Sequence, residues 1–239
     1  MQDTKVNIND MLTNAILEKP IPFTLNGRYF FLYQPSLGVS LLAGQLLQQL
    51  QINPQLYSTN KQMEMLRVCI DQRDIVLRII ALHTFSYRSD VLREDRLSSR
   101  IKELEKLEAA DVATLLVAIL SWDGRQEEFV KHFKLDRERK TREKIQAYKK
   151  KKGGSLTFGG HSIYGAVLDA ASERYGWELG YVLWGISALN LNMLLADSVQ
   201  SVYLSKEEAK EAHVSTDGIY LDARDPKNLR EIQRLIMGK

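Results

Sequence analysis

One cysteine, five prolines and no uncharged apolar run of membrane-spanning length are what this 239-residue chain most visibly withholds. The lone thiol, Cys69, excludes an intramolecular disulfide and any cysteine-built zinc or iron–sulfur cluster, so a reducing compartment is expected. The longest uncharged apolar stretch, 181–196, is interrupted by Gly185, Ser187, Asn190 and Asn192 and closed by Asp197. A spanning helix needs about 20 predominantly apolar residues, so this stretch reads as a buried helix pair and no membrane association is expected. The first 20 residues carry Asp3, Asp10 and Glu18 and hold no apolar core of signal-peptide length, which points to a soluble protein of the cytoplasm. With so little proline and only 14 glycines there is no low-complexity tract, and most of the chain should be folded.

Signatures of catalysis are missing as well. The chain has no G-x-S-x-G elbow, no H-E-x-x-H, no G-x-x-x-x-G-K-[ST] and no G-x-G-x-x-G after a strand. The four histidines, His83, His132, His161 and His213, include no pair at i,i+3 or i,i+4 that would aim two ligands from one helix face. No catalytic residue, no metal site and no cofactor are therefore expected, and the chain is read as a non-enzyme. Absence of a motif leaves a novel site open, and a deep polar pocket with clustered titratable groups would bring that reading back. His83 and Cys69 fall on one apolar stripe, where a hydrogen-bonded core histidine and an inert buried thiol are the preferred readings.

Positive charge is present but local. Between Lys131 and Lys152 there are 11 Lys/Arg against Asp136, Glu138 and Glu143, a net of +8 that leaves −5 for the rest of a chain of net charge +3. The run Lys149, Lys150, Lys151, Lys152 ends this stretch and Gly153-Gly154 follows it. Apolar positions here thin to Leu135, Ile145 and Tyr148, too few to own a core, so 134–160 reads as a basic, Gly-rich connector. A Lys/Arg cluster can also neutralise phosphates, but only Phe133 and Tyr148 are interleaved for base stacking. A solvated linker is the favoured reading, ahead of an acidic protein partner and of nucleic acid.

On either side of the connector the patterns are mainly α. A leader helix is expected around Asp10–Leu17. Ile21–Leu25 and Arg28–Tyr33 flank Asn26-Gly27, the dipeptide that best supports a type I′ hairpin turn. Ser36 is placed to cap a helix bearing Val39, Leu42, Leu46 and Leu50. Thr59-Asn60-Lys61-Gln62 fits a capping box opening one long helix whose stripe runs Met65, Cys69, Gln72, Val76, Ile79 and His83. Leu97, Ile101 and Leu104 mark a further helix, and Val112 to Leu120 another that Asp123-Gly124 should break. After the connector, Tyr164, Leu168, Ala171 and Tyr175 give a helix stopped at Gly176. Glu178–Trp184 and an apolar helix Ile186–Tyr203 come next. Ser205-Lys206-Glu207-Glu208 fits a second capping box, 213–222 is expected to be irregular, and Asp225-Pro226 opens a last helix.

The expected architecture is therefore mainly α. An N-terminal β-hairpin packs on a helical bundle over 1–133, the connector spans 134–160, and a smaller helical unit with a C-terminal helix spans 161–239. Tyr175-Gly176-Trp177 through Leu195 imitates a helix-turn-helix, but the second helix carries no Lys or Arg to present to bases, so it reads as packing. Tyr175, Trp177, Tyr181 and Trp184 are the candidate partner-binding aromatics, weighed against a plain core stripe.

Two segments resemble the tail assembly chaperones of long-tailed phages. One is Phe23-Thr24-Leu25-Asn26-Gly27-Arg28-Tyr29-Phe30-Phe31-Leu32 followed by Pro35-Ser36-Leu37-Gly38. The other is Arg174-Tyr175-Gly176-Trp177-Glu178-Leu179 leading through Val182-Leu183 to the apolar 189–196 helix. The resemblance implies a non-catalytic helper in the bacterial host cytoplasm that binds the tape-measure protein, or another tail protein, during tail assembly. It transfers no catalytic residues. Self-association, a structural role in the virion and a nucleic-acid-binding accessory role through the connector remain the alternatives.

Overall fold

The computed structural model describes residues 8–151, 159–198, 204 and 209–210. The expected second capping box, the irregular segment 213–222 and the last helix lie outside these residues, as does Lys152. The fold is mainly helical with one two-stranded sheet. By contacts the chain divides into two compact units, 1–135 with 158–198 and 136–157 with 199–239. This division differs from the one expected. The 161–198 segment groups with the hairpin and bundle, and its apolar side chains pack with Leu37, Ala15 and Phe129 of that unit.

In the first unit, helix α1 (Ile8–Ile16) leads into strands β1 (Ile21–Leu25) and β2 (Arg28–Leu32), which pair antiparallel with Ile21 opposite Leu32 and Leu25 opposite Arg28. Asn26 at φ 51° and Gly27 at φ 73° occupy the left-handed positions of the expected hairpin turn. Alternation sorts the strands by face. Phe23 and Phe30 stack at 5.6 Å beside the buried Leu25 and Leu32, while Tyr29 and Phe31 face outward. The helix α2 (Leu37–Leu47) starts where expected, with Ser36 Oγ accepting the Val39 N–H.

Three helix boundaries differ from the sequence pattern. Asn53 caps an additional helix, α3 (Pro54–Thr59), so Thr59 closes that helix and Asn60 becomes the cap of α4 (Lys61–Asp71), accepting the Met63 N–H. The apolar stripe from Met65 to His83 is then shared by two helices. The chain breaks at Gln72 (φ −131°, ψ 41°) before α5 (Arg73–Leu82). Gln72 Oε1 accepts the Gln51 N–H at 3.1 Å and Arg73 donates to the Leu107 carbonyl at 2.6 Å, so the break is held by two different partners. After α6 (Arg88–Val91) and α7 (Glu94–Leu104), helix α8 (Ala109–His132) runs straight through Asp123-Gly124. A helical glycine costs about 1 kcal/mol relative to alanine, and the buried Trp122 and Phe129 on either side supply enough packing to carry the helix across it.

The main core joins the hairpin, α2, α4, α5, α7 and α8 around Leu32, Met65, Val76, Ile80, Leu104 and Leu116. A π-helical turn (Tyr164–Asp169) precedes α10 (Ala170–Tyr175), which Gly176 ends at φ 65° as expected. α11 (Leu179–Trp184) and α12 (Ala188–Ala196) follow, the latter starting later than expected because Ser187 is its cap. These elements close a second core of Leu37, Leu168, Ala171, Val182, Ile186 and Leu191, and Leu189 packs with Ala15 of α1 and Phe129 of α8. In the second unit, the basic connector forms helix α9 (Leu135–Lys151, its first residue in the first unit), with an i,i+4 pair between Arg139 and Glu143 at 3.0 Å. Among the described residues no helix is long and apolar enough to cross a membrane.

Candidate protein-interaction surface

The sharp left-handed turn at Gly176 throws Trp177 back onto the helix it has just left. The Trp177 ring stacks on Tyr175 at 4.6 Å and meets Tyr181 edge-on at 5.1 Å, two geometries that aromatic quadrupoles favour. Tyr175 is further held by its hydroxyl, which donates to the Leu194 carbonyl at 2.9 Å. The far end of this ladder is open: Tyr181 keeps 46% of its surface exposed, and Leu179 and Leu194 are exposed to similar degrees. It is a rigid aromatic step with an uncovered apolar rim.

Of the four aromatics singled out from the sequence, three form this ladder and the fourth does not. Trp184 turns toward α2, where a Cβ on Gly38 would lie 2.7 Å from its ring carbons. Glycine at 38 is thus what lets the indole lie flat on the helix backbone. The same region joins the two segments quoted above. Ser36 and Ser187 form an isolated antiparallel bridge, and the Ala188 N–H donates to the Pro35 carbonyl at 2.8 Å. Leu37 enters the core of α10–α12. Lys149, Lys150 and Lys151 are placed at the C-terminal end of α9, in the other unit.

Glu18 ties α1 to this junction. It sits in the left-handed region at φ 50°, unusual for a non-glycine residue, and its Oε1 accepts from the Ser187 N–H at 2.7 Å and from Asn190 Nδ2 at 3.0 Å. Beside the junction lies a cleft of about 120 Å³ whose lining includes Glu18, Tyr33, Gln34, His83, Arg88 and Trp184. His83 is buried, stacked on Trp122 at 5.8 Å, with Nδ1 donating to the Ile79 carbonyl at 2.8 Å. Burial pushes its pKa down to about 4, against the smaller opposing effect of that hydrogen bond, so the ring is neutral at physiological pH.

Two other buried groups, a thiol and a carboxylate, are structural. The Cys69 thiol is buried among apolar side chains and burial pushes its pKa up to about 11, which leaves it without thiolate character. Glu64 is fully buried but paired: Arg67 donates to both of its oxygens at 2.7 and 2.9 Å, and the Asn53 N–H donates to Oε1 at 2.6 Å. The Arg67 hydrogen bond, then that of Asn53, holds its pKa down to about 2. Arg67 also reaches the Gln51 carbonyl and Asp71, so this network fastens the 51–53 loop to α4. Among the described residues no three His, Cys, Asp or Glu side chains converge as a metal would require.

Glu18, Gln34, Gly38 and Arg88 were not distinguishable in the sequence. The Glu18 contact with Ser187 spans 169 residues, and no local pattern encodes such a pairing. Gly38 carried a signal only in hindsight, as a glycine in the first turn of a helix without positive φ. Comparison with family models, with curated proteins and with solved structures gave no match.

Proposed function

We propose that the chain is a non-catalytic, tail assembly chaperone-like protein that binds the phage tape-measure protein in the host cytoplasm during tail morphogenesis. The observation that carries this reading is the Tyr175–Trp177–Tyr181 ladder, held rigid at one end by the Leu194 carbonyl and left uncovered at the other beside Leu179 and Leu194. Interface binding energy concentrates in Trp and Tyr side chains that are ordered before binding, because little rotamer entropy is then lost. An extended helical partner offers apolar anchors at i, i+3, i+4 and i+7 to such a step. The exposed Tyr29 and Phe31 on the hairpin's outer face provide a further apolar contact for a long partner.

Co-expression with the tape-measure protein tests this. The partner should stay in the supernatant and co-purify with the wild-type chain. Leu179→Ser/Leu194→Ser removes exposed apolar surface from the rim while leaving the ladder and the buried cores intact. It should weaken capture at least tenfold with an unchanged melting temperature. A tape-measure protein that stays insoluble and does not co-purify with the wild type would sink the proposal. The second reading, nucleic-acid binding, is favoured by one observation, the exposed Arg137, Lys140 and Lys144 on one face of α9.

A further inference from the structure

The cleft between the hairpin exit, the end of α5 and the α11–α12 joint is lined in part by a side chain whose acceptor nothing among the described residues satisfies. Gln34 is 8% exposed and its Nε2 donates to the Asn14 carbonyl at 3.3 Å. A carbonyl only accepts, so this contact sets the orientation of the amide and turns Oε1 away from Asn14. Oε1 is buried and has no hydrogen-bond partner among the described residues, although Gln34 lines the cleft. Buried polar atoms are nearly always paired, so an orphan on a residue that lines a cleft calls for a partner, and a donor from outside the chain is one that would fit.

The neighbouring groups say what kind of donor. Glu18 lines the same cleft and is half-buried, and both of its hydrogen bonds fall on Oε1. No cation of the described residues lies within ion-pair distance of its carboxylate, and both of those bonds come from neutral N–H groups. Arg88, the cation among the lining residues, holds its guanidinium over the Trp184 ring at 5.7 Å instead. His83 spends its Nδ1–H on Ile79, which leaves Nε2 as an acceptor. The cleft therefore has a carboxylate, an amide and a neutral imidazole among its lining side chains, beside the hydroxyls of Tyr33, Ser36, Ser86 and Tyr87 and the indole of Trp184. Its volume of about 120 Å³ leaves room for a charged head and a short stem. A divalent metal is disfavoured, since no three ligating side chains converge among the described residues.

We propose that this cleft binds an ammonium or guanidinium group, hydrogen-bonded by Gln34 Oε1 and charge-paired with Glu18, brought either by a basic side chain of a partner or by a small organic amine. Electrostatic pairing draws the cation in, and the orphaned amide oxygen selects for one that carries N–H donors. The site is separate from the aromatic ladder and does not depend on it.

The test is thermal stabilisation of the full chain at constant ionic strength, titrating n-propylammonium or propylguanidinium chloride against sodium and tetramethylammonium chloride. Tetramethylammonium has the charge without the donors. Saturable stabilisation by either N–H cation and none by the two controls is expected. Gln34→Met keeps the side-chain length without the acceptor, and Glu18→Gln keeps the bonds to Ser187 and Asn190 without the charge. Each should lower the affinity at least tenfold, and either variant suffices if the other does not fold. N-acetyl-lysine N-methylamide binding more tightly than propylammonium assigns the site to a partner's side chain; weaker binding assigns it to a free amine. Stabilisation that is equal for tetramethylammonium, absent for all, or unaltered in both variants means that the cleft holds only water, and overturns the proposal.

Discussion

A neutral imidazole inside a core makes stability depend on pH in a direction fixed by its burial. His83 has a pKa of about 4 in the folded chain against 6.5 for an ordinary imidazole, so the unfolded chain takes up its proton first as the pH falls. The stability it contributes is complete above pH 6.5 and is lost between pH 6.5 and 4, a total of about 3 kcal/mol by linkage. Urea unfolding should therefore show a lower midpoint at pH 4.5 than at pH 7.5. His83→Phe, which keeps the ring against Trp122, should remove that difference. Glu64 acts in a separate window. Its carboxylate is held down to about 2 by Arg67 and Asn53, so its contribution is present above pH 4.5 and lost as the pH falls toward 2. A His83→Phe variant that still softens between pH 6.5 and 4.5 would contradict this assignment. Of these residues, the sequence stripe placed His83 and Cys69 in the core. It could not show that Glu64, charged and on the helix of Cys69, is buried: Arg67 lies three residues on in that helix, but the Asn53 N–H that also holds the carboxylate comes from the segment before α3.

At the scale of elements, periodicity located the hairpin, α2, α7 and the turn at Gly176, where local chemistry and packing agree. It misplaced breaks. Gln72 carries no breaker signal, and the chain parts there because Gln51 and Leu107 hold the two flanking side chains from elsewhere in the bundle. Asp123-Gly124 carries a strong one, and α8 overrides it. Gly124 is exposed, helical and has nothing within 4 Å of where a Cβ would stand. Gly124→Ala should therefore raise unfolding stability by about 0.5–1 kcal/mol in denaturant titration, since it only reduces the freedom of the unfolded chain. Gly38→Ala should do the reverse. Its methyl group would press on Trp184 at 2.7 Å, and overpacking of this kind costs about 1–3 kcal/mol. Adding Trp184→Leu to Gly38→Ala should recover part of that loss. If the pair is additive instead, the α2–Trp184 contact is not what limits stability at this position.

For the whole molecule, apolar periodicity and turn chemistry pointed to a mainly helical fold with a hairpin, but the division at the basic segment was drawn from charge, glycines and a scarcity of apolar positions. Charge shows where a core is absent. It does not show which cores lie together, and Leu37, Glu18 and Leu189 join segments that the sequence keeps far apart. The net charge of α9 is concentrated, yet Arg139 is already paired with Glu143, and Asp136 and Glu138 sit in its first turn. Such a helix attracts phosphates through Arg137, Lys140 and Lys144, with about one unit of salt slope for each contact made. On the chaperone reading these cations are solvated. Arg137→Gln/Lys140→Gln/Lys144→Gln should then leave capture of the tape-measure protein unchanged, and the wild type should show no salt-dependent retention of duplex DNA in a filter or gel-shift titration. Tight DNA binding that weakens with salt in the wild type, and whose salt dependence flattens in the triple variant, would instead make α9 the functional surface. The aromatic ladder would then be left with a packing role in the other unit.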